Sequence, residues 1–288
     1  MSSSILAGVV FLSLAVLTTS AFTLIMRFSQ ERGYSVLAVG GVNYLVAAGA
    51  AAIFTSLPQV SAVAPALRII AAVSGVGFVL TYLLLVPTMR RHGVTIPTAA
   101  VQVSMVVPVL LAALLWHETF GVAQAAGVAI SLLAIVLLAP PPGERPVVLS
   151  GSAYLLVPGI FALSGGTRVA QKALTVLAPQ GQQPALAVIW FGAAAIFSIG
   201  LLTLTGWPRR AGEWAAGLCL GLVNLGSLVF VLRTLDLTAA TIVFPVISCL
   251  TLIVTSGGAF ALWRERPTRR ATLGIVVGLI AVVLVGTR

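Results

Sequence analysis

The sequence predicts an all-α integral membrane protein of ten transmembrane helices, arranged as two inverted five-helix repeats, and three observations carry that prediction. Of 288 residues, 59% are hydrophobic and only 8% are charged, whereas soluble domains carry about 25% charged residues. Such a chain has too little polar surface to cover a globule, so its apolar faces must meet lipid or one another. The few charges fall between long uncharged runs, and the second half of the chain echoes the first.

No Asp, Glu, Lys or Arg occurs between Arg32 and Arg68, Glu118 and Glu144, Lys172 and Arg209, or Asp236 and Arg264. A spanning helix needs about 20 apolar residues, so each gap holds one or two helices. Charges, prolines and glycines then set the boundaries. The first helix is expected near 5–27. No basic n-region precedes it and its run is too long for a signal-peptide core, so it is read as retained. The second and third are expected near 35–57 and 66–88, with Arg68 at the start of the third. The fourth and fifth, near 94–116 and 120–139, are joined by a short connection holding His117 and Glu118. The run Pro140-Pro141-Pro142-Gly143-Glu144-Arg145-Pro146 is too rich in proline for a helix and marks a linker over 140–150. It separates a first repeat, 1–139, from a second, 151–288. The sixth helix, near 151–173, carries Arg168 and Lys172. The seventh, eighth, ninth and tenth are expected near 184–206, 212–233, 238–262 and 270–287.

The repeat is visible at a shift of 147: Leu115-Trp116-His117-Glu118 falls on Leu262-Trp263-Arg264-Glu265, and Gly127 on Gly274. A shared Trp-x-Glu followed nine residues later by Gly is harder to obtain by chance than matches among Leu, Val and Ala. At a shift of 145, Arg27 falls on Lys172 and Thr23 on Arg168. A repeat with an odd number of helices enters the membrane in opposite senses in its two copies, the inverted-repeat signature of secondary transporters.

These features resemble the EamA-type ten-helix members of the drug/metabolite transporter superfamily. The resemblance rests on the two Trp-x-Glu plus Gly units (Trp116, Glu118, Gly127 and Trp263, Glu265, Gly274), the Val-Val-Pro ending in Pro108, Pro245, and the Arg27/Lys172 pair. It implies a bundle around a central cavity lined by both halves, alternating access, and transport of a small metabolite.

Several function classes recede. The net charge of +10 comes from arginines set singly or in pairs at helix ends, with no basic stripe of the kind that binds nucleic acid. There is no nucleotide-binding P-loop. His92 and His117, the only histidines, lie in separate loops without metal-ligand spacing, and Cys219 and Cys249 lie in apolar runs, so neither a catalytic constellation nor a metal or cofactor site is expected.

Polar groups deep in predicted helices are the candidates for substrate binding. Asn43, Gln102 and Asn224 can hydrogen-bond a substrate or act as interhelical glue. Thr95, Thr98 and Gln102 share one face of helix four, and Gly217, Gly221, Asn224 and Ser227 one face of helix eight, faces suited to a wet cavity. Tyr82 and Trp190 can wall that cavity or pack as ordinary core. Ser164, Arg168 and Lys172 follow one another at intervals of four on helix six. Lys172 lies near the helix end, where it can snorkel, but Arg168 lies a turn deeper and must reach water, a carboxylate or a substrate anion.

All six acids fall at predicted helix ends or in loops. A proton-coupled exporter of lipophilic cations would hold a carboxylate at mid-membrane, so the expected cargo is an amino acid or organic anion. The alternatives are a cation or multidrug exporter of the same fold, or a non-transporting sensor or assembly subunit. Glu118 and Glu265 are expected to serve the N-termini of the helices that follow them. Gly127-x-x-x-Ser131 and Gly274-x-x-x-Gly278 can pack the halves together or form a homodimer. Only one of the sixteen basic residues, Lys172, is lysine, the usage of a GC-rich bacterial genome, and a bacterial inner membrane is the expected location. The resemblance implies cytoplasmic termini, whereas the arginine count favours termini outside, and the sequence leaves this open.

Overall fold

The computed structural model describes residues 2–92, 100–118, 121–138, 153–179, 181–263 and 269–286. The proline-rich linker, Thr95, Thr98 and Glu265 lie outside them. The described residues fold into α1 (Ser2–Glu31), α2 (Val36–Ile53), α3 (Leu57–Ser61), α4 (Pro65–His92), α5 (Val106–Leu115), α6 (Val122–Leu138), α7 (Ala153–Leu177), α8 (Gln183–Thr205), α9 (Ala211–Leu237), α10 (Ala240–Trp263) and α11 (Arg269–Gly286). The described residues are almost entirely helical, and two of the expected helices differ for reasons of local chemistry.

The second expected helix stops at Ile53, and the chain restarts as α3. Ser56 begins that turn through a capping box with Gln59, whose Oε1 accepts the Ser56 N–H at 2.9 Å, and Pro58 occupies the first turn, where its missing N–H costs nothing. The fourth expected helix is interrupted. Residues 100–103 are helical, Ser104 and Met105 form a turn, and α5 follows. Pro108 cannot donate to the Ser104 carbonyl four residues back, which takes the Val107 N–H at 3.1 Å instead, so the helix tightens where the proline leaves it unsupported.

Among the described residues, six helices are long and apolar enough to cross a membrane: Leu6–Glu31, Val36–Ile53, Pro65–Leu85, Gln183–Thr205, Ala211–Leu237 and Ala240–Trp263. The apolar helices Ala100–Leu115, Val122–Leu137 and Thr272–Val285 are shorter. Large apolar side chains face outward, among them Val122, Leu204 and Ile53, each at least 80% exposed. An aqueous surface would not tolerate so many, and lipid would.

The chain divides into two compact units, each drawing helices from both halves of the sequence. Unit 1 comprises Met1–Leu83 and Ala170–Leu237. In it α2 lies against α8 and α9, and α1 lies along α9. Its core gathers Tyr44, Trp190, Phe191, Leu186, Leu228 and Leu232. Glycine makes the closest approach possible: a Cβ on Gly75 would lie 2.0 Å from the Trp190 carbonyl oxygen, so no other residue fits there.

Unit 2 comprises Leu84–Val169 and Thr238–Arg288. Its main contact is α6 on α11, with α10 beside α5, α6 and α11. A Cβ on Gly127 would lie 2.8 Å from the Val285 backbone nitrogen, Gly278 faces Ile253 and Ala134, and Ser131 is buried. These small residues therefore pack helix on helix inside the chain.

Candidate functional site

The charged constellation lies in unit 2. Arg168, past the middle of α7, donates from one terminal nitrogen to Ser248 Oγ at 3.4 Å and from the other to Gln102 Oε1 at 3.3 Å. Both bonds are long and both acceptors are neutral. No carboxylate among the described residues lies within 4 Å of the guanidinium. One turn earlier Ser164 is buried, and its Oγ has no hydrogen-bond partner.

Three local features bring these groups together. Gly165 lets α7 approach the break before α5 closely: a Cβ there would lie 2.9 Å from Val107 Cγ2 and 3.4 Å from the Ser104 carbonyl oxygen. This sets Gln102, just ahead of that break, level with Arg168. Ser248 follows Pro245, which removes an N–H from α10. The start of α10 is held by Glu118, whose two carboxylate oxygens accept the N–H groups of Ala240 at 3.2 Å and Thr241 at 3.1 Å.

Glu118 thus performs the expected task on a different helix. The sequence assigns it to the helix directly following, α6, yet there the Gly121 N–H is taken by Gln124 Oε1 at 3.0 Å. Its own neighbour being served locally, and with His117 turning the chain at φ 52°, the carboxylate reaches α10, 122 residues away in sequence.

The remaining candidates belong to unit 1, and most of them are spent on packing. Asn224 Nδ2 donates to Asn43 Oδ1 at 3.1 Å in a buried pair, and Asn43 Nδ2 has no partner. Gly217 and Gly221, expected to border a wet cavity, instead meet Val42, Val46 and the Asn43 carbonyl, since the absence of side chains draws α9 onto α2. Ser227 and Thr19 share a hydrogen bond of 2.8 Å between α9 and α1. Tyr82 is buried, donates its hydroxyl to the Val36 carbonyl and meets Tyr44 edge-on. Trp190 is fully buried, edge-on to Phe78 at 5.0 Å, with its indole N–H unpartnered. Lys172, expected to snorkel, is buried, and with Arg233 it lies within electrostatic reach of Asp236, which accepts a hydrogen bond from Gln183 Nε2 at 2.5 Å.

Of the nine expected binding residues, the structure joins Gln102, Ser164 and Arg168 in one locality, and Asn43 with Asn224 in another. Ser248 was missed. Its signal was a polar stripe on helix nine, Thr241, Ser248, Thr251 and Thr255, at intervals of seven, three and four.

Solved structures share the fold. One crystal structure of a protein is similar with a TM-score of 0.77 at 15% sequence identity, covering 99% of this chain and 97% of that one. No family model and no curated protein matches the chain. Among the described residues, no group of three or more His, Cys, Asp or Glu is placed to hold a metal ion. What the Arg168 locality offers chemically is a planar cation with unused donors, beside hydroxyl and amide groups. Those groups are suited to a carboxylate or another small oxyanion.

Proposed function

We propose that this chain is a secondary-active transporter of a small anionic or zwitterionic metabolite, an amino acid or organic anion, working by alternating access with ten spanning helices in two inverted five-helix repeats. The observation that carries the proposal is the uncompensated charge of Arg168 in an otherwise apolar helix bundle. A permanent cation inside a bilayer is costly and is kept where it pairs with something. Among the described residues the protein supplies long bonds to neutral oxygens, so a substrate carboxylate is the partner that completes the site. Ser164 and Ser248 supply further donors for it. Both compact units mix helices from the two sequence halves, which suits a transporter whose repeats exchange roles.

The test is uptake into proteoliposomes containing only this chain, with a labelled panel of amino acids, organic anions and lipophilic cations, with and without a pH gradient. Uptake of an amino acid or anion, lost in Arg168→Gln while the protein still melts normally, is the expected outcome. Uptake restricted to cations, or kinetics unchanged in the variant, would overturn the assignment.

A further inference from the structure

The arginines of unit 1 are not used alike at its two ends. At one end, Arg68 donates to the carbonyls of Val63 at 2.6 Å and Ser61 at 2.5 Å, and Arg233 and Lys172 face Asp236. Those basic side chains are engaged by neighbouring groups of the protein. At the other end, Glu213 joins two corners far apart in sequence. Its Oε1 accepts the Ser35 N–H of the α1–α2 corner at 2.9 Å, and its Oε2 accepts the Arg209 and Arg210 N–H groups of the α8–α9 corner at 2.8 and 3.2 Å. Glu213 is buried, so its carboxylate is committed to backbone. The side chains of Arg209 and Arg210 are exposed, with no carboxylate within 4 Å among the described residues, although Arg210 lies within electrostatic reach of Glu213. Arg32, on the joined corner, is exposed as well and lies over the Phe28 ring at 5.0 Å. Trp207 and Trp214 flank Arg209 and Arg210, stacked with centroids 6.4 Å apart and each nearly half exposed.

An exposed indole pair with adjacent exposed guanidiniums is the chemistry of a membrane interface: the rings sit at headgroup depth and the cations meet phosphate. We propose that the α1–α2 and α8–α9 corners form one basic and aromatic platform that docks on anionic phospholipid headgroups, setting this end of unit 1 at the cytoplasmic leaflet. The greater number of exposed arginines at this end, Arg32, Arg209 and Arg210 against Arg68, selects the leaflet, because anionic lipid and the positive-inside bias both belong to that side. The proposal rests on the membrane reading of the chain but not on its cargo or on transport.

The full chain in detergent is titrated with phosphatidylglycerol, phosphatidylcholine or free glycerol phosphate, and binding is read as thermal stabilisation. Wild type should prefer phosphatidylglycerol in a salt-sensitive manner. Arg209→Gln with Arg210→Gln should lower that preference about 25-fold, from about fivefold per cation, while Arg209→Lys with Arg210→Lys retains most of it. Equal stabilisation by both lipids, by glycerol phosphate, or in the glutamine variant would overturn the proposal. The leaflet is read separately from Arg209→Cys in a Cys219→Ser, Cys249→Ser background, using a membrane-impermeant maleimide. Labelling in inverted vesicles but not in intact cells is expected, and the reverse overturns the placement. Alkaline carbonate extraction of the same membranes tests the membrane reading alone: release of the chain would sink that reading rather than the platform.

Discussion

Arg168 and the Asn43–Asn224 pair show how different two polar groups inside one apolar chain can be. The guanidinium is held loosely, at 3.3 and 3.4 Å, by neutral groups, so its charge remains for a ligand. Charge-assisted hydrogen bonds contribute about 1.5–3 kcal/mol, and Arg168→Gln should therefore lower uptake of an anionic substrate roughly 10- to 100-fold with the melting temperature little changed. Arg168→Lys should recover only part of the activity, since an ammonium lacks the planar fork. The asparagines instead share one hydrogen bond across α2 and α9. Interhelical bonds of this kind contribute about 0.6 kcal/mol in double-mutant cycles, so Asn43→Ala and Asn224→Ala should show coupling of about that size when unfolding is followed in mixed micelles. Strict additivity would mean that the bond contributes nothing.

At the scale of elements, the helices are placed by periodic apolar runs but aligned by a few carboxylates and glycines. Glu118 supplies both oxygens to the first free N–H groups of α10, where a helix N-terminus also favours negative charge. Glu118→Ala should destabilise the chain by about 1–2 kcal/mol and raise amide hydrogen exchange first at Ala240 and Thr241. Glu118→Gln should fall between the two. Exchange unchanged at those amides would show that the start of α10 is held by something else. The interruption before α5 follows the same logic in reverse. Pro108 withholds one N–H, the helix tightens at Ser104 and Met105, and Gln102 ends up beside Arg168 rather than stacked in a straight helix.

For the whole molecule, the proposed inverted repeat makes a prediction that needs no substrate. Equivalent connections in the two halves must open on opposite faces of the membrane. Cysteine introduced at His117 and at Arg264, each in a cysteine-free background, should react with an impermeant maleimide from opposite sides. Labelling of both from one side would contradict the five-helix parity. The same measurement complements the orientation drawn from Arg209, because the three sites together fix which connections share a face.

The sequence by itself determined the solvent and the helices. Scarce charge over uncharged runs long enough to span a bilayer leaves little choice, because an unpaired backbone group in hydrocarbon costs several kcal/mol and a helix satisfies all of its own. It also picked out Arg168, since one buried guanidinium is conspicuous among leucines and valines. Which polar groups gather around Arg168 and which bind each other was decided only by tertiary structure. Asn43 and Gln102 look alike in sequence, but α9 approaches α2 over Gly217 and Gly221 and consumes the first, whereas the break before α5 turns the second toward a cation. Glu118 reads as the cap of its own neighbour and serves α10, and Ser248 gains meaning only when α10 stands beside α7. Helix periodicity is local and can be read along the chain. The pairing of helix faces depends on groups 66 to 181 residues apart, whose meeting is set by close packing rather than by any spacing in the sequence.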